Sequence, residues 1–274
     1  MVESSGYDDS YRDEKSICKR KLIAMTNSGP EIITFGPPDE SNRRIELAQM
    51  MRSAPIPDRE LMLNTGLFLT PQTLSRVLFM DFLYRQILEV QGVIVELGCR
   101  WGQNLSLFTA LRGIYEPFNR LRRVVGFDSF EGFLSVAPED GTKVAPGDYT
   151  TTPAYEQFLR QILELQEKES PLSHICKYEV VKGDALKSVP AYLERNPQTI
   201  IALAYFDFDL YKPTRDSLKT IEPYLTKGSI IGFDEVNDHT TPGETVALRE
   251  VFGLRRYAVK RYPFNARTSY LVVE

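Results

Sequence analysis

The sequence predicts an α/β fold, a doubly wound, mostly parallel sheet with helices on both faces and a C-terminal antiparallel hairpin. Three observations carry this. Apolar, β-branched runs of strand length alternate with amphipathic helical stretches, the pattern of a parallel sheet covered on both sides. The successive runs end on acidic residues, so the carboxyl ends of the strands form one chemically distinct rim. The chain has 274 residues with 42% hydrophobic and 11% aromatic side chains, enough for one sizeable core with a small appendage.

Along the chain, residues 1–64 read as an N-terminal arm and 65–274 as the main domain. The first stretch, MVESSGYDDSYRDEK, is polar and acidic and predicts a disordered leader. Turn-rich NSGPE, GPPDESN and APIPDRE then break up short apolar runs, predicting an irregular or partly helical arm. GLFLTPQT reads by position as part of a lid. In the next helix Thr70 caps, Pro71 suits the first turn, and Leu74, Val77, Leu78, Phe82 and Ile87 keep a helical period until Gly92. VIVELG, RRVVGFDSF, KYEVVKGDA, IIALAYFDFD and GSIIGFDE read as strands, each separated from the next by a helical stretch. RRYAVKRYPF and SYLVVE lie too close together for a helical crossover and predict the hairpin.

The formal net charge of -4 argues against a nucleic-acid surface, which needs a clustered basic excess. The pairs Arg43/Arg44, Arg122/Arg123 and Arg255/Arg256 are scattered and read as solvated faces. Cys18, Cys99 and Cys176 are odd in number with no metal spacing, which fits reduced thiols in a cytoplasm. Neither a signal peptide nor a membrane-spanning run is visible, so the sequence predicts a soluble, cytoplasmic protein with no membrane partner.

In a doubly wound sheet the ligand crevice lies outside the carboxyl ends of the strands. Those ends carry Glu96, Asp128, Asp184, Asp207 with Asp209, and Asp234 with Glu235. Any one of them has a bland reading as a turn or helix cap, Asp184 before LKSVPAYL above all; five strand ends in series point to a site. In ELGCRWGQN, Gly98 and Gly102 allow a tight turn and close approach to a ligand at a helix N-terminus. The spacing is not GxGxxG, which weakens a dinucleotide reading. Asp128 stands where a carboxylate accepts ribose hydroxyls, Phe130 where a ring covers an adenine, and Asp184 where an adenine amino group arrives. Asp207, Asp209, Asp234 and Glu235 form a second group. Like charges so close raise one another's pKa, and a divalent cation such as Mg²⁺ resolves them; pairing of Asp209 or Glu235 with a surface Lys or Arg is the plainer alternative. His239, in the loop after this group, is a candidate for assisting the chemistry or binding substrate. Trp101 walls the pocket or packs, and Tyr211 faces a substrate or the core.

ELGCRWGQN, GFDSFEGF, KGDA, YFDFDLYKPT and GFDEVNDHTTPGETVALREVFG together resemble the class I S-adenosylmethionine-dependent methyltransferases, and more narrowly the macrocin O-methyltransferase branch. The resemblance spans residues 65–274 and implies a Rossmann-like domain that methylates a sugar hydroxyl on a natural product. It implies that Glu96, Gly98, Gly102 and Asn104 hold the methionine part of the cofactor, Asp128, Ser129 and Phe130 the ribose and adenine, and Gly183, Asp184 and Ala185 the adenine edge. It further implies Asp207, Asp234 and Glu235 as Mg²⁺ ligands, Asp209 as general base, and a homo-oligomer with the arm in its contacts. Family members usually carry Asp-Asp where this chain has Asp234-Glu235. Two other readings stay open: a methyltransferase-like binding module that has lost catalysis, and an NAD-dependent oxidoreductase on the same architecture.

Overall fold

The structure is a computed structural model that describes Pro37 and residues 39–274. The leader expected over the first 20 or so residues lies outside them. The chain divides into two units, Met1–Ser41 and Asn42–Glu274, and the sheet belongs to the second. Helices α1 (Glu40–Arg52) and α2 (Asp58–Leu61) and a 3₁₀ segment (Met62–Phe68) bury no residue.

Helix α3 (Pro71–Gln86) begins as its sequence dictates: the Thr70 hydroxyl accepts from the Thr73 N–H at 3.2 Å and Pro71 occupies the first turn, where its missing N–H costs nothing. Its core-facing stripe differs from the expected one. Phe79, Met80, Leu83, Tyr84 and the following Ile87 are fully buried, while Leu74 and Leu78 are exposed. The helix carries two apolar stripes, and the sheet selects the more aromatic one. Arg76, at i−3 and i−4 from Phe79 and Met80, therefore rides on the inner stripe.

Seven strands follow in the order β3-β2-β1-β4-β5-β7-β6. β1 (Val93–Leu97), β2 (Val124–Asp128), β3 (Tyr178–Lys182), β4 (Ile201–Phe206) and β5 (Leu225–Phe233) are parallel. The crossovers are α4 (Gln103–Tyr115), α5 (Tyr155–Lys168), α6 (Ala185–Arg195) and α7 (Tyr211–Ile221), with α8 (Gly243–Val251) after β5. The hairpin is β6 (Lys260–Arg261) and β7 (Ser269–Val272), and β7 pairs antiparallel with both β5 and β6. The apolar runs are continuous because alternate residues enter different layers. Ile94, Val124, Leu203 and Ile230 face α3, α4 and α5, whereas Val95, Val125, Ala204 and Ile231 face α6, α7 and α8. Burial of each larger aliphatic side chain contributes roughly 1.5–3 kcal/mol.

The strand order reverses direction between β1 and β4, so the two chains diverge at that point and leave a crevice above their carboxyl ends. At the opposite end of the sheet, one expectation fails. Arg122, read from sequence as solvated, is 1% exposed. Its guanidinium donates to Gly92 O at 2.6 Å, Val90 O at 2.8 Å, Ile87 O at 3.0 Å and the Glu116 carboxylate at 2.7 Å, and it ties off the carbonyls where α3 runs into β1. Among the described residues no helix is long and apolar enough to cross a membrane.

Candidate active site

The crevice is built from strand ends. Glu96, the fourth residue of β1, is 1% exposed, and its Oε2 has no hydrogen-bond partner among the described residues. Burial pushes its pKa up to about 8, with Asn104 and the Arg76 charge working against the shift. The chain then turns at Gly98, whose φ of +94° and whose absent Cβ are both required: a Cβ there would lie 2.2 Å from the Asp207 carbonyl oxygen. Gly102, with φ of +75°, starts α4 against the Leu159 side chain. Asn104 is buried in the first turn of that helix. Asp128 ends β2 and accepts from the Arg100 N–H at 2.7 Å and the Phe130 N–H at 2.6 Å, so it braces the glycine loop and its own turn together. Ser129 closes that turn through Gly132 O at 3.0 Å, and Phe130 is buried. Gly183 is anchored to Asp128 O at 2.8 Å; Asp184 caps α6 by accepting from the Leu186 N–H at 3.0 Å, with Ala185 as the first helical residue.

The second acidic group lies across the β4 and β5 ends, where its counter-charges are arginines. Arg76 reaches Asp234 Oδ1 at 2.7 Å and Asp207 Oδ2 at 3.4 Å. The Tyr205 hydroxyl also donates to Asp234, at 2.7 Å. Arg267, just before β7, pairs with Glu235 and with Asp238 Oδ2 at 3.0 Å, and the Thr241 hydroxyl donates to Glu235. Among the described residues no three His, Cys, Asp or Glu side chains are grouped to hold a metal ion. The residues present therefore do not fit the Mg²⁺ site expected at Asp207, Asp234 and Glu235. The paired-acid alternative fits Glu235, and its partner is an arginine 32 residues downstream.

Asp209 differs from its neighbours. It is 7% exposed, takes a left-handed φ of 60°, and among the described residues no side-chain hydrogen bond holds its carboxylate. Asp tolerates that conformation better than most residues. Burial, then the Asp234 charge, push its pKa up to about 7, with Arg267 and Arg100 opposing. Burial and Asp234 push Asp207 well above the ordinary carboxylate range too, against the pull of Arg76.

Two acids that the sequence reading passed over hold this geometry. Glu244, fully buried on α8, accepts from the Phe208 N–H at 3.1 Å and the Glu235 N–H at 3.2 Å, so it joins the two acidic loops. Asp140, 1% exposed in the long β2–α5 connection, accepts from the Ala137 N–H at 2.6 Å and from the Tyr211 N–H, fastening that connection over the start of α7. Glu244 follows Pro242-Gly243 at the start of an apolar helical run, a position where an acid is usually taken for a dipole partner. The same connection brings Tyr149 over the Arg100 guanidinium at 4.7 Å. His239 stands apart from this group: its side chain is 87% exposed, with Nδ1 3.9 Å from Asp238. Trp101 is 41% exposed and packs edge-on against Tyr155 at 4.7 Å, and Tyr211 turns into α8 to pair with Glu250.

A doubly wound sheet with an antiparallel β7 and an acid-lined crevice at its switch point defines a fold class shared with known methyl-transferring enzymes. No protein-family model and no curated relative matches the chain. The crystal structure of CalS11, a calicheamicin methyltransferase, is 42% identical, covers 90% of this chain and 98% of its own, and superposes with a TM-score of 0.85. The apo structure of CalS11, a TDP-rhamnose 3'-O-methyltransferase of calicheamicin biosynthesis, gives 41%, 88% and 96%, and 0.78. The O-methyltransferase NovP, at 17% identity over 73% of this chain and 79% of its own with a TM-score of 0.52, shares the fold. The chain belongs to the class I S-adenosylmethionine-dependent methyltransferases, as an O-methyltransferase.

Proposed function

We propose that this enzyme transfers a methyl group from S-adenosylmethionine to a hydroxyl of a sugar, carried on a nucleotide or on a natural product. The observation behind the acceptor class is the likeness to CalS11 over nearly the whole of both chains. The narrower macrocin O-methyltransferase resemblance, the cytoplasmic location and the 65–274 catalytic domain belong to the same reading. Cys99 and Cys176, both free thiols, support the location.

The crevice suits the cofactor. The buried, partnerless Glu96 Oε2 is an acceptor that lacks a donor, and a ligand ammonium supplies one. Gly98, Gly102 and Asn104 line the same turn, and Asp128, Ser129 and Phe130 are assigned to the ribose and adenine. Gly183, Asp184 and Ala185 are assigned to the adenine edge, although the Asp184 Oδ1 already caps α6. When bound, the cofactor supplies an electrophilic methyl that an acceptor oxygen attacks in line with the departing sulfur.

Asp209 is assigned as the general base. Among the described residues its oxygens are committed to no side-chain partner, and a pKa of about 7 is close to the optimum for a base working near neutral pH. Arg100 and Arg267 lie close enough to bias that carboxylate toward the charged form. No role in proton transfer is assigned to the exposed His239. The test is release of S-adenosylhomocysteine with TDP-rhamnose and other sugar nucleotides, for the wild type and Asp209→Asn. Release that Asp209→Asn abolishes supports the reading. Cofactor binding without release on any of the sugars counts against a sugar acceptor.

A further inference from the structure

The inference concerns the charge balance of the second acidic group and rests on the reading of the crevice as the S-adenosylmethionine site. A cluster of buried carboxylates needs positive charge, and a divalent ion is one solution. Here the position between Asp207 and Asp234 is held by the Arg76 guanidinium, 3.4 Å from one and 2.7 Å from the other. This contact is built into the fold. Arg76 sits on the inner stripe of α3, three and four residues before the fully buried Phe79 and Met80, so the helix cannot seat its core without presenting Arg76 to the strand ends. Asn104 lies 3.5 Å from both Arg76 and Asp207, and Tyr205 orients Asp234 through its hydroxyl. Glu235, the third expected ligand, is taken by Arg267.

Mg²⁺ demands near-octahedral oxygen ligation at about 2.0–2.1 Å, and a guanidinium offers only donors. Arg76 takes Asp207 Oδ2 and Asp234 Oδ1, and its fixed positive charge repels a divalent ion from the same carboxylate pair. We propose that Arg76 is the resident cation of this site: it neutralises Asp207 and Asp234 in place of a divalent metal and excludes Mg²⁺ from them.

The test is a titration of MgCl₂ into EDTA-treated, S-adenosylhomocysteine-loaded protein, followed by calorimetry, for the wild type, Arg76→Met and Arg76→Gln. Retained S-adenosylhomocysteine binding certifies that each variant is folded, and two variants guard against the loss of one. The expected result is no saturable Mg²⁺ binding by the wild type below millimolar concentration. Either variant should gain saturable binding, at least roughly tenfold tighter, which Asp234→Asn in the same background removes. Sub-millimolar Mg²⁺ binding by the wild type, or variants that bind Mg²⁺ no better than it, would overturn the proposal. Because no acceptor is needed, the outcome is independent of whether a sugar proves to be the substrate.

Discussion

The two ends of the sheet use the same chemistry to opposite effect. At the amino ends of the strands, Arg122 is buried with carbonyls and a carboxylate at every nitrogen, and Arg112 joins Glu167 at 2.7 Å and Lys177 O at 2.9 Å. Lys177 closes that cluster against Leu172 O and Ile175 O, at 2.8 and 2.9 Å. At the carboxyl ends the acids outnumber the cations, Glu96 keeps a partnerless oxygen, and Asp209 stands in a left-handed turn with no side-chain hydrogen bond among the described residues. Satisfied buried ions hold the chain in place; unsatisfied ones wait for a ligand. The contrast separates structural from functional charge more reliably than burial does, since both ends are buried.

The largest expected effect falls on the functional end. Asp209→Asn keeps the backbone conformation and should lower kcat by about 10²–10⁴ while cofactor affinity holds, a split read from single-turnover rates and calorimetry. In the wild type the low-pH limb of kcat/KM should bend near pH 7, with activity rising as Asp209 loses its proton, and the limb should vanish in the variant. An unaltered limb would assign the base elsewhere.

At the structural end, Arg122→Met strands the Glu116 carboxylate and three carbonyls and should cost about 3–5 kcal/mol of stability. Denaturant unfolding measures this. Cofactor affinity of the folded fraction should be unchanged, and a selective loss of affinity would dissolve the distinction between the two ends. Intermediate in size, Asp128→Ala removes the acceptor of two backbone N–H groups and should weaken S-adenosylmethionine binding by roughly tenfold or more, at about 1.4 kcal/mol per tenfold.

Glu96 sharpens the comparison through pH. In the free protein burial holds its proton up to about pH 8, while a bound ammonium favours the carboxylate. Binding below that pH should release a proton, so affinity should rise between pH 6 and 8. Calorimetry in buffers of different ionisation heats reads the release directly, and zero release would detach Glu96 from the ligand. The smallest effect is expected from Asp184→Ala, about 1 kcal/mol from the lost helix cap. Cofactor affinity matching the wild type would make that residue a cap alone.

Why was the sheet legible and the charge partners not? Strands buried on both faces write themselves as unbroken apolar runs, and their acidic ends are adjacent in sequence to those runs, so both the architecture and the rim could be read locally. Arg76 lies 131 residues from Asp207, and its meaning depends on which of two apolar stripes α3 turns inward. A count including Phe79, Met80 and Leu83 would have put Arg76 on the inner stripe. Arg122 was read as solvent-facing because charge is normally exposed, yet a strand start rich in unpaired carbonyls is a site only a buried donor can fill. Glu244 acts through backbone N–H groups of two distant loops, and nothing local announces that. The conformation of Asp209 leaves no trace in composition at all.

The placement of β7 has a consequence for how the molecule is made. Ser269–Val272 leaves the ribosome after every other strand of this sheet, yet it lies inside the sheet, between β5 and β6. Until it arrives, the nine-residue β5 presents an unpaired hydrogen-bonding edge to whatever strand is near. The same late segment delivers Arg267, so Glu235 receives its counter-charge only as the edge is sealed. Nascent chains that stall after β5 should thus be sticky and catalytically immature together, which makes completion of the sheet the step at which solubility and competence are acquired at once.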